Sequence, residues 1–140
     1  MLYNQSLIKE GELIISENKS LGIYVNDAQS QKHHMLIDEP KHMGGDDLSF
    51  SPYDMLAAAL GGCTSITLRM YAEHKKWPLE HVSVKVKHHK DEQKQDIFVR
   101  EIIIKGKLLD EQKQRLLEIA NKCPVYRTLA SSSKIESCLM

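Results

Sequence analysis

The chain of 140 residues carries no net charge, because 19 Lys and Arg balance 19 Asp and Glu. A nucleic-acid binder shows a basic excess or a basic stripe. The densest basic run here, KVKHHK at residues 85–90, gives way at once to acidic residues, so nucleic acid is not an expected partner. Long apolar runs are missing as well. None approaches the ~20 residues that a membrane-spanning helix needs. The opening stretch MLYNQSLIKEGELII lacks the charged segment, apolar run and small-residue cleavage site of a secretory leader. The expected compartment is the cytoplasm, with no membrane partner. Cysteine is scarce and odd in number (Cys63, Cys123 and Cys138), which argues against a structural disulfide framework. There is no C-x-x-C and no H-E-x-x-H. The adjacent pairs His33-His34 and His88-His89 would point to opposite faces of a strand, so neither makes a chelate and no metal is expected.

What is present reads as a single α+β domain over residues 1–140. Residues 7–37 hold three short apolar runs, Leu13-Ile14-Ile15, Gly22-Ile23-Tyr24-Val25 and His34-Met35-Leu36-Ile37, separated by polar turn residues. They predict a β-meander. DEPKHMGGDDLSFSP (residues 38–52) is a loop long enough to suspect of function. The stretch SPYDMLAAALGGCTSITLRMYAEHKKW (residues 51–77) predicts a long helix, with Ser51 as N-cap and Pro52 at the first helical position. Leu56, Leu60, Cys63, Thr67, Met70 and His74 share one of its faces, and Ala57–Ala59 widen the apolar surface, so the helix is expected to be buried on most sides. HVSVKVK predicts a half-buried strand, and DIFVREIIIKGKL, apolar on both faces, a strand interior to a sheet. Asp110 is the expected cap of a second helix, with Leu116, Leu117, Ile119 and Ala120 inward and an end near Cys123-Pro124. KIESCLM predicts a closing strand. So apolar a central helix needs more cover than one small sheet offers, which favours a homodimer.

The centre of the long helix poses a chemical question. Gly61 and Gly62 each weaken a helix interior by roughly 1 kcal/mol relative to Ala, and they stand beside Cys63. Bare backbone there would let another segment, or a substrate, come close; packing of small residues between helices is the plainer reading. Cys63 itself reads either as a small buried hydrophobe or as a reactive thiol. Cys123, in NKCPVYRTL, precedes a proline and has Arg127 four residues on. A cation nearby favours thiolate, the nucleophilic form. Spacing alone does not bring the two thiols together.

Four pieces of the sequence carry a resemblance: HHMLIDEP, GGDDLSFSPYDMLAAALGGCT, ITLRMYAEHKKWPLEHVSVKVKH and LLEIANKCPVYRTL with its β-tail. In their order and spacing, from about His34 to the end, they resemble the OsmC/Ohr family of thiol-dependent peroxidases. The resemblance implies an OsmC-like fold: an N-terminal β-meander, a long central helix, further strands and a second helix, in an intertwined homodimer with two active sites at the subunit interface. It implies reduction of organic hydroperoxides, sometimes hydrogen peroxide, in oxidative-stress defence. By motif position Cys63 is the peroxidatic and Cys123 the resolving cysteine. An external dithiol such as dihydrolipoamide regenerates the pair, with no metal or prosthetic group.

The sequence departs from the family's peroxidases at the cation. These pair an arginine from the N-terminal strands with a glutamate just after the proline of the first helix. Here Tyr53 follows Pro52, with Asp54 next, and no arginine precedes Arg69; the N-terminal basic residues are Lys9, Lys19, Lys32 and Lys41. The candidate replacements are Arg127, Arg69, Asp54, Asp38, Glu39 and His34, with Arg127 preferred because it shares a motif with Cys123. Asp38 and Glu39 have the alternative task of fixing the turn around Pro40, and Cys138 matches no motif. Two other functions stay open: a non-catalytic dimer holding a small apolar ligand in its interface cleft, and a thiol redox sensor. The peroxidase reading predicts sulfurs within bonding range and a Cys63 thiol partly reachable from solvent with a lowered pKa.

Overall fold

The structure, a computed structural model, describes residues 13–18 and 20–139. The start of the expected meander, with Lys9 and Lys19, lies outside the described residues. The chain divides into two compact units, one of residues up to Pro52 and from Ser133 on, the other of Tyr53–Ser132.

In the first unit three short strands, β1 (Ile15–Asn18), β2 (Asn26–Gln29) and β3 (His34–Ile37), form an antiparallel meander in the order β1-β2-β3. The meander is as expected, but its first two strands sit C-terminal to the apolar runs. Ile15 pairs with Gln29 and Asn26 with Ile37. Polar side chains turn each corner: Asn18 Oδ1 accepts from Ser20 N–H, and Ser30 Oγ accepts from the N–H groups of Lys32 and His33. The loop that follows wraps the buried Asp38. Its Oδ1 accepts from Glu39 N–H (2.8 Å), and its Oδ2 from Asp46 N–H (3.2 Å) and Leu48 N–H (3.1 Å). Gly45 is obligatory here, since a Cβ would lie 1.9 Å from the Glu39 carbonyl oxygen. The expected closing strand does not form; residues 133–139 are irregular.

The second unit is built on α1 (Pro52–Lys75), the hairpin β4 (Leu79–Lys90) and β5 (Asp96–Gly106), α2 (Asp110–Ala120) and α3 (Pro124–Ala130). Pro52 opens α1, Asp54 lies in its first turn, and His74 and Lys75 lie in its last, matching the dipole at both ends. Lys76, left-handed at φ 57°, ends it as Trp77 N–H reaches back to the Ala72 carbonyl (2.8 Å). The hairpin turn is organised by Asp91, whose Oδ1 accepts from Gln93 and Gln95 N–H. One hairpin face pairs Val82 with Ile104, Val84 with Ile102, Val86 with Arg100 and His88 with Phe98. Leu68, Ala72, Leu79, Leu108, Leu116, Ile119 and Ala120 form the core, with Val82, Ile102 and Ile104 packed against it.

Several expectations change. β5 pairs with β4 alone, so it is an edge rather than an interior strand among the described residues, and Val99 and Ile103 on its outer face are exposed. α1 is not covered on most sides. Its buried stripe is Leu60, Thr64, Leu68 and Ala72, at a spacing of four, whereas Leu56, Ile66 and Met70 are exposed. Leu109, not Asp110, is the N-cap of α2, its N–H donating to Gln112 Oε1 (2.9 Å), and Leu117 faces out. Pro124 does not stop a helix but opens a new one, α3, because proline's fixed φ suits a first helical position.

Candidate active site

Cys63 lies at the middle of α1, one residue before the buried Thr64. α1 approaches the hairpin closely at this level because Gly61 has no side chain. A Cβ there would sit 3.3 Å from Val86 Cγ2 and 3.7 Å from the Val84 carbonyl. Gly62 points the other way, into open space. The paired glycines therefore differ in role: one admits a strand, the other leaves the helix surface bare next to Cys63.

Cys123 comes from the opposite end of the unit's sequence. α2 ends at Ala120, Asn121 and Lys122 turn the chain, and Cys123 becomes the N-cap of α3. Its Sγ accepts from Tyr126 N–H (3.5 Å), and its carbonyl accepts from Arg127 N–H (3.1 Å). The fold brings the two sulfurs into hydrogen-bonding reach of each other, both reduced. Cys123 is fully buried and Cys63 half-buried. Val125 N–H, in the first turn of α3, acts on both thiols, Thr67 acts on Cys63, and Thr64, whose hydroxyl donates to the Leu60 carbonyl (2.7 Å), acts on Cys123.

The two thiols are held apart in acidity. Burial pushes the Cys63 thiol up, and the neighbouring Cys123 sulfur adds to it, against weaker opposition from Val125 N–H and Thr67. Burial also acts against ionisation of Cys123. There the Cys63 S–H, the Tyr126 N–H and the Thr64 hydroxyl outweigh it and hold the thiol below its ordinary value. Of the two thiols, Cys123 is the one that gives up its proton more readily, and Cys63 the one that keeps it longer. The expected partial access to Cys63 is present; the expected lowering of its pKa is not, because burial and then the neighbouring Cys123 sulfur push the thiol up.

A cation that the sequence reading passed over is held by sequence neighbours of both thiols. Arg100, on the inner face of β5, donates from Nη1 to Thr64 Oγ1 (2.8 Å) and to the Ala120 carbonyl (3.0 Å), and from Nη2 to Asn121 Oδ1 (2.8 Å). Its guanidinium lies 5.0 Å from the Tyr126 ring centre. The signal was available: a lone Arg at an inward position of an alternating strand, opposite Val86. A cleft of roughly 290 Å³ lies beside it, walled by Leu60, Phe98, Tyr126 and Leu129.

The expected site residues fall into two groups. Cys63, Cys123, Arg127 and Asp54 share the second unit. Arg127 is exposed on α3, joined to Cys123 through its backbone. Asp54 is exposed on the first turn of α1. Arg69 is occupied in the fold, donating to the carbonyls of Leu79 and Glu80 where β4 begins. His34, Asp38 and Glu39 belong to the first unit. Asp38 organises its loop, and this holds its carboxyl below the usual range, chiefly through Leu48 N–H and then Glu39 and Asp46 N–H, against burial. Glu39 serves the same turn through its backbone. His34 Nδ1 lies 3.6 Å from the Asp27 carboxylate. Cys138 is exposed in the irregular tail. Among the described residues no cluster of His, Cys, Asp and Glu could hold a metal ion, and no helix is long and apolar enough to cross a membrane.

Comparison with solved structures finds the same fold repeatedly. A protein of Psychrobacter arcticus 273-4 assigned to the osmotic stress and detoxification response superposes with a TM-score of 0.75 at 16% identity, over 88% of this chain and 91% of that one. An OsmC-like protein of Mycoplasma pneumoniae gives 0.71 at 17%, over 88% and 89%. An organic hydroperoxide resistance protein, OsmC, of Legionella pneumophila gives 0.64 at 18%, over 89% and 91%. No curated protein matches the chain. The family model described as OsmC-like protein matches residues 44–137, a stretch that holds both thiols and the whole second unit. With two cysteines meeting across α1 and the start of α3, on a fold shared with these structures, the chain belongs to the OsmC-like protein family.

Proposed function

We propose that the protein is a thiol-dependent peroxidase that reduces organic hydroperoxides, as a cytoplasmic homodimer serving oxidative-stress defence. The observation that carries this reading is the meeting of Cys63 and Cys123, sixty residues apart in sequence, with backbone N–H groups of α3 directed at their sulfurs. Structural neighbours include organic hydroperoxide resistance proteins from Legionella pneumophila and Elizabethkingia anophelis.

The chemistry runs through proton transfer between the two thiols. Cys123 thiolate takes the proton of Cys63. The Cys63 sulfur attacks the distal oxygen of the hydroperoxide, forming the S–O bond as the O–O bond breaks. The departing alkoxide takes the proton back from Cys123 and leaves as an alcohol. Cys123, again a thiolate, attacks the Cys63 sulfenic acid. The S–S bond forms as the S–O bond breaks, and the departing hydroxide is neutralised to water by a buffer acid in solution. An external dithiol, lipoyl-type or other, then reduces the disulfide by exchange. Arg127, exposed one turn beyond Cys123, is the cation assigned to the peroxide's oxygens.

The test is hydroperoxide consumption by the purified protein, with cumene hydroperoxide and either dihydrolipoamide or dithiothreitol. Cys63→Ser is expected to abolish turnover, and Cys123→Ser to leave a Cys63 sulfenic acid that forms once and persists. If the wild type consumes no peroxide and Cys63 stays unoxidised by mass spectrometry, the reading is wrong. A second reading, a dimer that holds a small apolar ligand without turnover, draws on the cleft beside Leu60, Phe98 and Leu129. It predicts saturable binding of an apolar fluorophore that Cys63→Ser leaves unchanged.

A further inference from the structure

We propose that the cleft between α1, β5 and α3 is a binding site for a small apolar carboxylate, with the carboxylate held by Arg100 and the apolar body lying along Leu60, Phe98 and Leu129. The inference rests on the cleft being a ligand site, as in the second reading above. It adds the ligand's charge, and it requires no reaction at either thiol.

Arg100 is out of place by ordinary strand logic. Its neighbours on the inner face of β5 are Phe98, Ile102 and Ile104, and it stands opposite Val86. Placing a guanidinium on such a face is costly unless its charge and its donors are answered. Nη1 donates to Thr64 Oγ1 and to the Ala120 carbonyl, and Nη2 to Asn121 Oδ1. These partners are neutral. The end of α2 at Ala120 adds the negative pole of a helix dipole, about half a unit of charge. No carboxylate among the described residues pairs with Arg100. Asp96, which shares the cleft, stands four residues away along β5, ~13 Å, and is already held by His88 Nε2 and Lys90 Nζ, each at 2.8 Å. A guanidinium has five N–H donors, so Arg100 lines the cleft with part of its charge unanswered and with donors on Nε and Nη2 to spare.

The cleft around this charge is apolar. Leu60 comes from α1, Phe98 from β5, and Tyr126 and Leu129 from α3. Its volume of roughly 290 Å³ lies at the lower end of the range for small-molecule sites, so the ligand is small. The Tyr126 ring takes one side of the guanidinium. The spare donors on Nε and Nη2 belong to adjacent nitrogens of a planar fork, the arrangement that a carboxylate meets with two parallel hydrogen bonds. Other ligand classes fit less well. A cation is repelled by Arg100. A strongly hydrated phosphate gains nothing from the apolar walls. A neutral apolar molecule would cover the half-buried guanidinium and leave its spare donors without acceptors, at the cost of their desolvation.

The experiment compares 4-phenylbutyrate with 4-phenylbutanamide, its uncharged analogue, by isothermal titration calorimetry on the full chain. The acid is expected to bind with a Kd of about a millimolar or below, and the amide at least about tenfold more weakly, because the charge-assisted pair is lost. Arg100→Met is expected to remove the preference for the acid, and Arg100→Lys, which keeps the charge, to retain part of it. Leu129→Trp fills the cleft from α3 and leaves the polar partners of Arg100 in place; it is expected to abolish binding of both probes. Equal affinity of the wild type for acid and amide would overturn the proposal and leave the second reading standing. No binding of the acid by about 10 mM would overturn it as well, and the fluorophore then decides the second reading by itself. A preference for the acid that survives Arg100→Met, or acid binding that survives Leu129→Trp, would put the carboxylate elsewhere and overturn it too. Should one of these two variants fail to fold, the other decides.

Discussion

Cys63 and Cys123 show how far a residue's chemistry depends on which donors its neighbours can spare. Both are taken out of water, and burial works against ionisation of each. The Cys63 side chain, the Tyr126 N–H and Thr64 favour ionisation of Cys123 and outweigh its burial, whereas burial and the Cys123 sulfur hold Cys63 in its protonated form to higher pH. A prediction follows for the more exposed thiol. Labelling of Cys63 by iodoacetamide, followed by peptide mass spectrometry, should have a pH midpoint above that of an ordinary thiol. Cys123→Ala should move it down, because the second cause of the rise is gone; an upward shift would contradict that role of Cys123. Asp38 is the other residue with a decided electrostatic task. Its lowered carboxyl pKa makes the folded state bind the proton less readily than the unfolded chain does. The stability it contributes is therefore fully present above the ordinary Asp value of about 4, and is lost as pH falls through the lowered folded value. Asp38→Asn puts a donor NH₂ where N–H groups already point. It should lower the melting temperature at neutral pH and flatten the acid limb of the melting-temperature-against-pH curve, as read by circular dichroism.

At the scale of elements, α1 is the piece against which the hairpin and α2 pack in the second unit, and Gly61 sets its distance from β4. Gly61→Leu should cost about 1–3 kcal/mol by overpacking against Val84 and Val86, seen as a lower urea midpoint with an unchanged slope. A neutral result would mean that the hairpin can move away. The same element shows what could be read in advance. The boundaries of α1 were legible because Ser-Pro and Asp54 mark one end and Trp77-Pro78 the other. The Val82, Val84 and Val86 face of β4 was legible from its alternation. α3 was not, because Pro124 is an equally good sign of an ending and a beginning, and only the chain after it decides. The first two strands were misplaced because their pairing is made by backbone and polar corners, with ISEN and NDAQ in the ladder and the apolar residues beside it. Of the site, both thiols were legible by motif. Arg100 was missed because the search for a cation followed sequence proximity to the cysteines, whereas the hairpin carries it in from β5.

For the whole molecule, the misjudged burial of α1 and β5 has one physical cause. The apolar patterns were read correctly, but a single chain does not cover them. Ile66 and Met70, at 60% and 65% exposure, continue a bare face of α1 through Gly62, and Val99 and Ile103 leave the outer face of the hairpin apolar. Monomeric proteins rarely leave such surface contiguous, and burying it against a second copy is what the proposed homodimer would do. A helix face centred on glycine and alanine also lets two helices approach closely. Ile66→Glu places a charge in the middle of that face, where a desolvated carboxylate has no partner, and should weaken self-association by on the order of thirtyfold, the cost of a central interface side chain. Sedimentation velocity across a dilution series would read this as a shift from dimer to monomer, while circular dichroism should show the second unit still folded, since Ile66 lies outside the core of Leu68, Ala72, Leu116 and Ile119. Were Ile66→Glu to leave the dimer intact, the α1 face would not be the contact, and the outer face of β5 at Val99 and Ile103 would be the next apolar surface to substitute.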